Sequence, residues 1–124
     1  MRMPKTLITA ASAVAILLSS PVIFSDVSTA AQAASATDEG KKIAFHRKKG
    51  NCLACHAIEG GKLPGNIGPP LINMKARFPN KADLKEQIGD ATIKNPNSIM
   101  PPFGKHKILS EEELNKVVEF IYSL

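Results

Sequence analysis

The sequence has no strand-like runs, no internal repeat and, beyond its N-terminal segment, no low-complexity tract. Without alternating β-branched stretches there is nothing from which to build a βαβ unit. Cysteine is limited to Cys52 and Cys55, and histidine to His46, His56 and His106, with no H-x3-5-H pair. A closed zinc site, which takes four ligands and mostly thiolates, is hard to assemble from that set. No cysteine lies near the N-terminal segment, so no lipid anchor is expected there. Charge is modest as well. The formal balance of +5 falls to +4 when Arg2, Lys5 and Asp26 are set aside with residues 1–33. A balance so mild predicts no nucleic-acid partner.

What is present is concentrated in Cys52-Leu53-Ala54-Cys55-His56. Two thiols separated by two residues sit one turn apart, and each can form a thioether to one edge of a haem. The residue that follows then projects an imidazole under the porphyrin plane toward the iron. Covalent haem attachment uses both cysteines and leaves no spare thiol. Three other readings of C-x-x-C compete. A thioredoxin-like redox pair needs a βαβ context that is missing here. Half a zinc site needs partners that are not spaced for it. A structural disulfide gains little by closing so short a loop.

The N-terminus reads as an export signal. A short basic start (Arg2, Lys5) precedes the apolar run Leu7 to Leu18, and small residues end in Ala31-Gln32-Ala33, an A-x-A cleavage pattern. Cleavage is expected after Ala33, with Ala36 the runner-up. An uncleaved anchor is the alternative, but Ser19, Ser20 and Pro21 interrupt Thr6 to Phe24 and no stop-transfer charges follow. The reading is a signal peptide over 1–33 and one periplasmic domain over 34–124, with no membrane segment after cleavage. So short a chain buries a modest core and needs a staple, which a covalent haem would supply.

Along 34–124 the periodicity predicts helices separated by two irregular loops. Thr37 and Asp38 offer cap chemistry for a first helix over Glu39 to Lys49, with Ile43, Ala44 and Phe45 inward and Gly50 ending it. Glu59 to Pro70 holds Gly60, Gly61, Pro64, Gly65, Gly68, Pro69 and Pro70 and is a loop. Leu71 to Phe78 predicts a short helix stopped by Pro79. Asn80 caps a third helix through about Lys94, with Leu84, Ile88 and Ala91 on one face. Asn97 to Lys107 is the second loop. Ser110 and Glu113 then form a capping box for a last helix with the apolar stripe Leu114, Val117, Val118, Ile121 and Leu124.

Four further residues bear on an iron centre. Met100, in the Pro-rich Met100-Pro101-Pro102-Phe103-Gly104, is the expected distal ligand, because a stiff backbone can hold a thioether toward the metal. His106 is the alternative there, and Met74 is read as a packing residue. Pro69 is the candidate carbonyl for the other ring nitrogen of His56, since ligating histidines donate that N–H to fix the ring. A His/Met pair leaves no open position and favours electron transfer over oxygen or peroxide chemistry. His46 is expected to face solvent. Lys41, Lys42, Arg47, Lys48, Lys49 and Lys62 are either a solvated face or a docking rim for an acidic redox partner.

These residues resemble the class I cytochromes c. Gly40-Lys41-Lys42-Ile43 with Phe45 is similar to that family's first helix, and Gly68-Pro69-x-Leu71 to the loop whose proline carbonyl receives the proximal histidine. The resemblance implies an all-α class I cytochrome c fold, with Gly40 and Phe45 meeting Val117 and Phe120. A closer resemblance, from Asp38 to Leu124, is to the SoxX family. It is carried by Gly50 to His56, Leu63 to Pro70, Met74 to Pro79 and Asn95 to Gly104. It implies the monohaem subunit of a SoxAX L-cysteine S-thiosulfotransferase, with one haem c. Its partners would be a SoxA-type subunit, the SoxYZ carrier and a downstream cytochrome c. The catalytic haem of that family lies on SoxA, and no catalytic residue is expected on this chain. A free-standing periplasmic electron shuttle and a non-redox haem-binding or sensing module remain the alternatives. Apolar Ile67, Pro101, Pro102 and Phe103 are expected at the haem edge, where a subunit would be covered.

Overall fold

The computed structural model describes residues 26–124. Most of the expected signal segment lies outside the described residues. The described residues form four α-helices, α1 (Asp26–Phe45), α2 (Met74–Arg77), α3 (Lys81–Gly89) and α4 (Glu111–Tyr122), with one 3-10 turn, Cys52–Ala54, between α1 and α2. No strand occurs among them. The domain is all-α, and long loops connect its helices.

α4 is the spine. Ser110 Oγ accepts from the Glu113 N–H, and Glu113 Oε2 accepts from the Ser110 N–H, so both halves of the capping box form. Three glutamates in its first turn complement the dipole. Leu114, Val117, Val118, Phe120 and Ile121 are buried, and each large apolar side chain removed from water contributes about 1.5–3 kcal/mol.

α1 crosses α4 at contact distance because residue 40 is glycine. A Cβ there would stand 1.9 Å from the Lys116 carbonyl oxygen and 3.0 Å from Phe120 Cβ. Phe45 meets Phe120 edge-on, with ring centroids 5.8 Å apart. Lys116 bridges the crossing, 2.6 Å from both Glu39 and Glu112. Its ammonium is held above its ordinary pKa, first by Glu112 and then by Glu39.

The boundaries of three helices differ from the sequence expectation. α1 starts a dozen residues earlier than Glu39, because Ala31, Ala33, Ala34 and Ala36 propagate a helix as well as any residue can. Thr37 does not cap it. Its hydroxyl donates back to the Ala33 carbonyl at 3.0 Å, inside the helix. The helix also stops at Phe45, before Lys49. The Ile43 carbonyl takes the N–H groups of both His46 and Gly50. Gly50 then presses on α1, where a Cβ would meet Ile43 O at 2.8 Å.

α2 is narrower than Leu71 to Phe78. Asn73 is left-handed (φ 51°), and the Leu71 N–H bonds to Ala57 O, so the chain is not helical before Met74. α3 ends at Gly89 rather than near Lys94. Asp90 Oδ1 accepts from the Thr92 N–H, turning the chain, and Gly89 O is taken by the N–H groups of Gly104 and Lys105. Leu84 and Ile88 are buried on α3, and Ala91 is buried from the turn beyond it.

Gly40→Ala is expected to force α1 from α4 and cost about 3 kcal/mol, measured as the denaturant midpoint of the haem-loaded chain. Gly89→Ala, whose Cβ would meet only Leu114 Cδ2 at 3.7 Å, should be neutral or gain about 0.5–1 kcal/mol. A second expectation concerns acid. The Lys116 ammonium lowers Glu39, the Lys49 ammonium lowers Glu113, and the Lys105 ammonium lowers Asp90. Carboxylates depressed in the fold contribute stability above their unfolded pKa and lose it as pH falls through the folded one. Thermal midpoints should therefore drop below about pH 4.5, the ordinary glutamate value. The drop should shrink in high salt, because these groups are solvent-screened. Lys49→Met should flatten that limb.

Candidate functional site

Cys52, Leu53 and Ala54 make the 3-10 turn that follows a left-handed Asn51 (φ 46°). The Ala54 N–H bonds to Asn51 O, and those of Cys55 and His56 both bond to Cys52 O. This winding places both thiols and the imidazole on one wall of a cavity of about 710 Å3. The cysteines are not bonded to each other. Burial pushes the Cys52 thiol up to about 11. A redox-active C-x-x-C pair needs a lowered thiol pKa, so this turn is poorly suited to disulfide exchange.

The first loop is laced to the motif by backbone bonds. The N–H groups of Gly65, Gly68 and Leu71 donate to the carbonyls of Leu53, Cys55 and Ala57 at 2.8–2.9 Å. This register sets Pro69 O 2.7 Å from His56 Nδ1. A carbonyl only accepts, so Nδ1 carries the proton and the Nε2 lone pair is free. Gly68 is what allows the approach: a Cβ there would stand 2.4 Å from His56 Cε1 and 2.6 Å from Nδ1.

The opposite wall is the second loop. Asn95 Oδ1 accepts from the Asn97 N–H, and Ser98 Oγ accepts from the Met100 N–H at 3.3 Å. Beyond Met100, Gly104 and Lys105 tie the loop to the end of α3. Half-buried Met100 faces the same cavity as His56. α3 supplies Leu84 and Ile88 to the lining, and α4 supplies Val117 and Ile121.

All five residues singled out for a haem (Cys52, Cys55, His56, Pro69 and Met100) line this one cavity. His46 and His106 are exposed and do not line it. Met74 is buried, and it lines the cavity as well as packing the core. Of the residues expected at the haem edge, Ile67, Pro101 and Phe103 line the cavity and Pro102 does not, and Phe103 is not part of an exposed rim. It is 7% exposed and belongs to the core, because the Leu109 N–H closes the loop onto Phe103 O. Among the described residues no three His, Cys, Asp or Glu side chains gather around a common metal position.

Arg77 was not read as a site residue. Its Nη1 donates to Pro70 O at 2.9 Å and to Met74 Sδ at 3.4 Å, and the residue lines the cavity. The available signal was its i, i+3 relation to Met74 in a one-turn helix. Arg47, Lys48, Lys49 and Arg77 line the cavity, and no Asp or Glu does. A flat apolar ring bearing two carboxylates fits that charge pattern. The two thiols, the free imidazole lone pair and the thioether fit its attachment and its iron.

The family model described as cytochrome C oxidase, cbb3-type, subunit III matches residues 35–121. An "Uncharacterized lipoprotein" of Aquifex aeolicus (strain VF5) is 34% identical over 76 residues, 60% of this chain. The match spans 37% of that relative's own length. A chain of the crystal structure of SoxXA from P. pantotrophus superposes with a TM-score of 0.64 at 26% identity, over 70% of this chain and 80% of that one.

Gly68→Ala is expected to push the His56 ring off Pro69 O and cost about 2 kcal/mol. Pro69→Ala keeps the acceptor and should cost less than about 1 kcal/mol. Thermal melts of the two haem-loaded variants test this contrast.

Proposed function

Because the chain belongs to the cytochrome C oxidase, cbb3-type, subunit III family, and is thus an electron-transfer cytochrome c with covalently bound haem, we propose that it is the monohaem subunit of a SoxAX-type L-cysteine S-thiosulfotransferase. The observation that carries the reading is the single cavity on which Cys52, Cys55, His56 and Met100 converge, with likeness to a SoxXA chain over most of the domain.

In this reading Cys52 and Cys55 would hold one haem by thioethers, and His56 Nε2 and Met100 Sδ would ligate its iron. Pro69 O keeps the proton on Nδ1 and so fixes the tautomer and the ring. Arg77, Arg47 and Lys48 would meet the ring's carboxylates. When bound, the haem supplies a one-electron ferric/ferrous couple whose potential a neutral, soft methionine raises. With both ligands from the chain, no substrate reaches the metal, and with both thiols consumed, no cysteine remains for sulfur chemistry. Thiosulfate and the SoxYZ carrier thiol form a sulfur–sulfur bond on the SoxA side, releasing the thiol proton and two electrons. This chain takes those electrons singly and passes them to a downstream cytochrome c.

Export to the periplasm with cleavage after Ala33 completes the reading. Residues 31–35 are exposed on α1, and no described helix is long and apolar enough to cross a membrane. A free-standing shuttle is the second reading. The likeness to a SoxXA chain over 70% of this chain favours a subunit over it.

Met100→Ala should lower the reduction potential and abolish the weak long-wavelength sulfur-to-iron band of the oxidised protein. An unchanged spectrum refutes the methionine assignment. Co-expression with a SoxA-type subunit should yield one size-exclusion peak active with thiosulfate and SoxYZ. Two separate peaks would leave the shuttle.

A further inference from the structure

Among the described residues six large apolar side chains are exposed. Ile67, Ile99 and Ile108 line the cavity, where a bound porphyrin gives them neighbours. Leu63 does not line it, and at 92% it is far more exposed than Ile72 or Ile93. It is also left-handed, with φ at +53°. That conformation is uncommon for any residue other than glycine, asparagine or aspartate, and it strains a bulky one.

The cause lies on either side. The Gly61 N–H bonds to Ile58 O, and Leu53 Cδ2 stands 2.3 Å from where a Gly61 Cβ would be. The Gly65 N–H bonds to Leu53 O, and a Gly65 Cβ would meet Ala54 O at 2.0 Å. Both ends of Lys62-Leu63-Pro64 are therefore clamped, and Pro64 fixes its own φ. The turn falls on residue 63, where glycine or asparagine would serve the fold at lower cost. A leucine there gains nothing from the interior.

Its surroundings are cationic. Lys62 is exposed beside it, Lys41 Nζ is 3.3 Å from where a Gly60 Cβ would be, and Lys42 follows on α1. None of the three forms an ion pair among the described residues, and the one acid on this stretch of loop is Glu59. The loop hangs on Leu53 and Ala54, the two residues between the thiols.

We propose that Leu63 is the anchor by which this chain docks on its SoxA-type partner, entering an apolar socket edged with carboxylates beside the thioether edge of the haem. The inference rests on the subunit reading above. The lysines speed the encounter, and the leucine sets how long it lasts.

The test uses the haem-loaded chain and the purified SoxA-type subunit. Leu63→Gly and Leu63→Asn both accept a positive φ. Each should melt at or above the wild-type temperature and keep its visible spectrum and reduction potential, yet bind at least tenfold more weakly. Lys62→Glu should slow association at low salt and matter little at high salt. Wild-type affinity in both Leu63 variants overturns the inference and leaves the subunit reading standing. A lower melting temperature for Leu63→Gly also overturns it, because the side chain would then serve the fold. If the wild-type chains do not associate at all, the subunit reading itself fails.

Discussion

The side chains of α3, α4 and the two Pro/Gly-rich loops pack into one core and also line a cavity of about 710 Å3. Protein interiors reach the density of organic crystals, and space at the centre of a small domain forfeits the dispersion contacts that hold it together. The covalent haem of a cytochrome c, filling that space, is therefore part of the core. Leu84, Ile88, Val117 and Ile121 line the cavity with apolar side chains. The close α1–α4 crossing at Gly40 stands outside this arrangement. It is made by polypeptide on polypeptide, with the Gly40 backbone against the Lys116 carbonyl.

The two ligand loops show how irregular backbone can be rigid. Neither is helix or sheet, yet each is tied by backbone and side-chain hydrogen bonds. The first is laced to the attachment turn at Leu53, Cys55 and Ala57, so His56 and Pro69 keep a fixed register. The second is tied at its base to Gly89 O and braced within by Asn95 and Ser98. A glycine sits wherever chain crosses chain in the first loop, because a Cβ at Gly65 or Gly68 would strike Ala54 or the imidazole. Rigidity comes from these crossings, and it lets a one-electron centre change charge with little rearrangement around it.

Most of the site was legible because it is local. Two thiols and an imidazole within five residues need no tertiary information, and a proline-flanked methionine is conspicuous. α4 was legible for the same reason: its capping box and apolar stripe are written within fifteen residues. What escaped depends on distant partners. α1 runs back through alanines that a cleavage motif made look like linker. α3 stops early because Gly89 O is claimed by Gly104 and Lys105, fifteen residues away. Phe103 sits in a loop that reads as surface but folds under itself onto Leu109. Arg77 carries no motif, and its place on the cavity appears only when α2 is turned against Pro70.

The surface divides along the same line. Ile67, Ile99 and Ile108 belong to the cavity mouth, so their exposure follows from the cofactor. Leu63 has no such explanation. It holds an unfavourable backbone conformation in a loop otherwise economical in strain, with its side chain in water and unpaired lysines around it. An electron-transfer cytochrome c acts by handing electrons to a neighbour. For such a chain the orientation of that neighbour against the haem edge is the main property left to specify. An apolar anchor specifies it better than lysines alone, since charge attracts over a distance set by salt whereas a buried side chain fixes geometry.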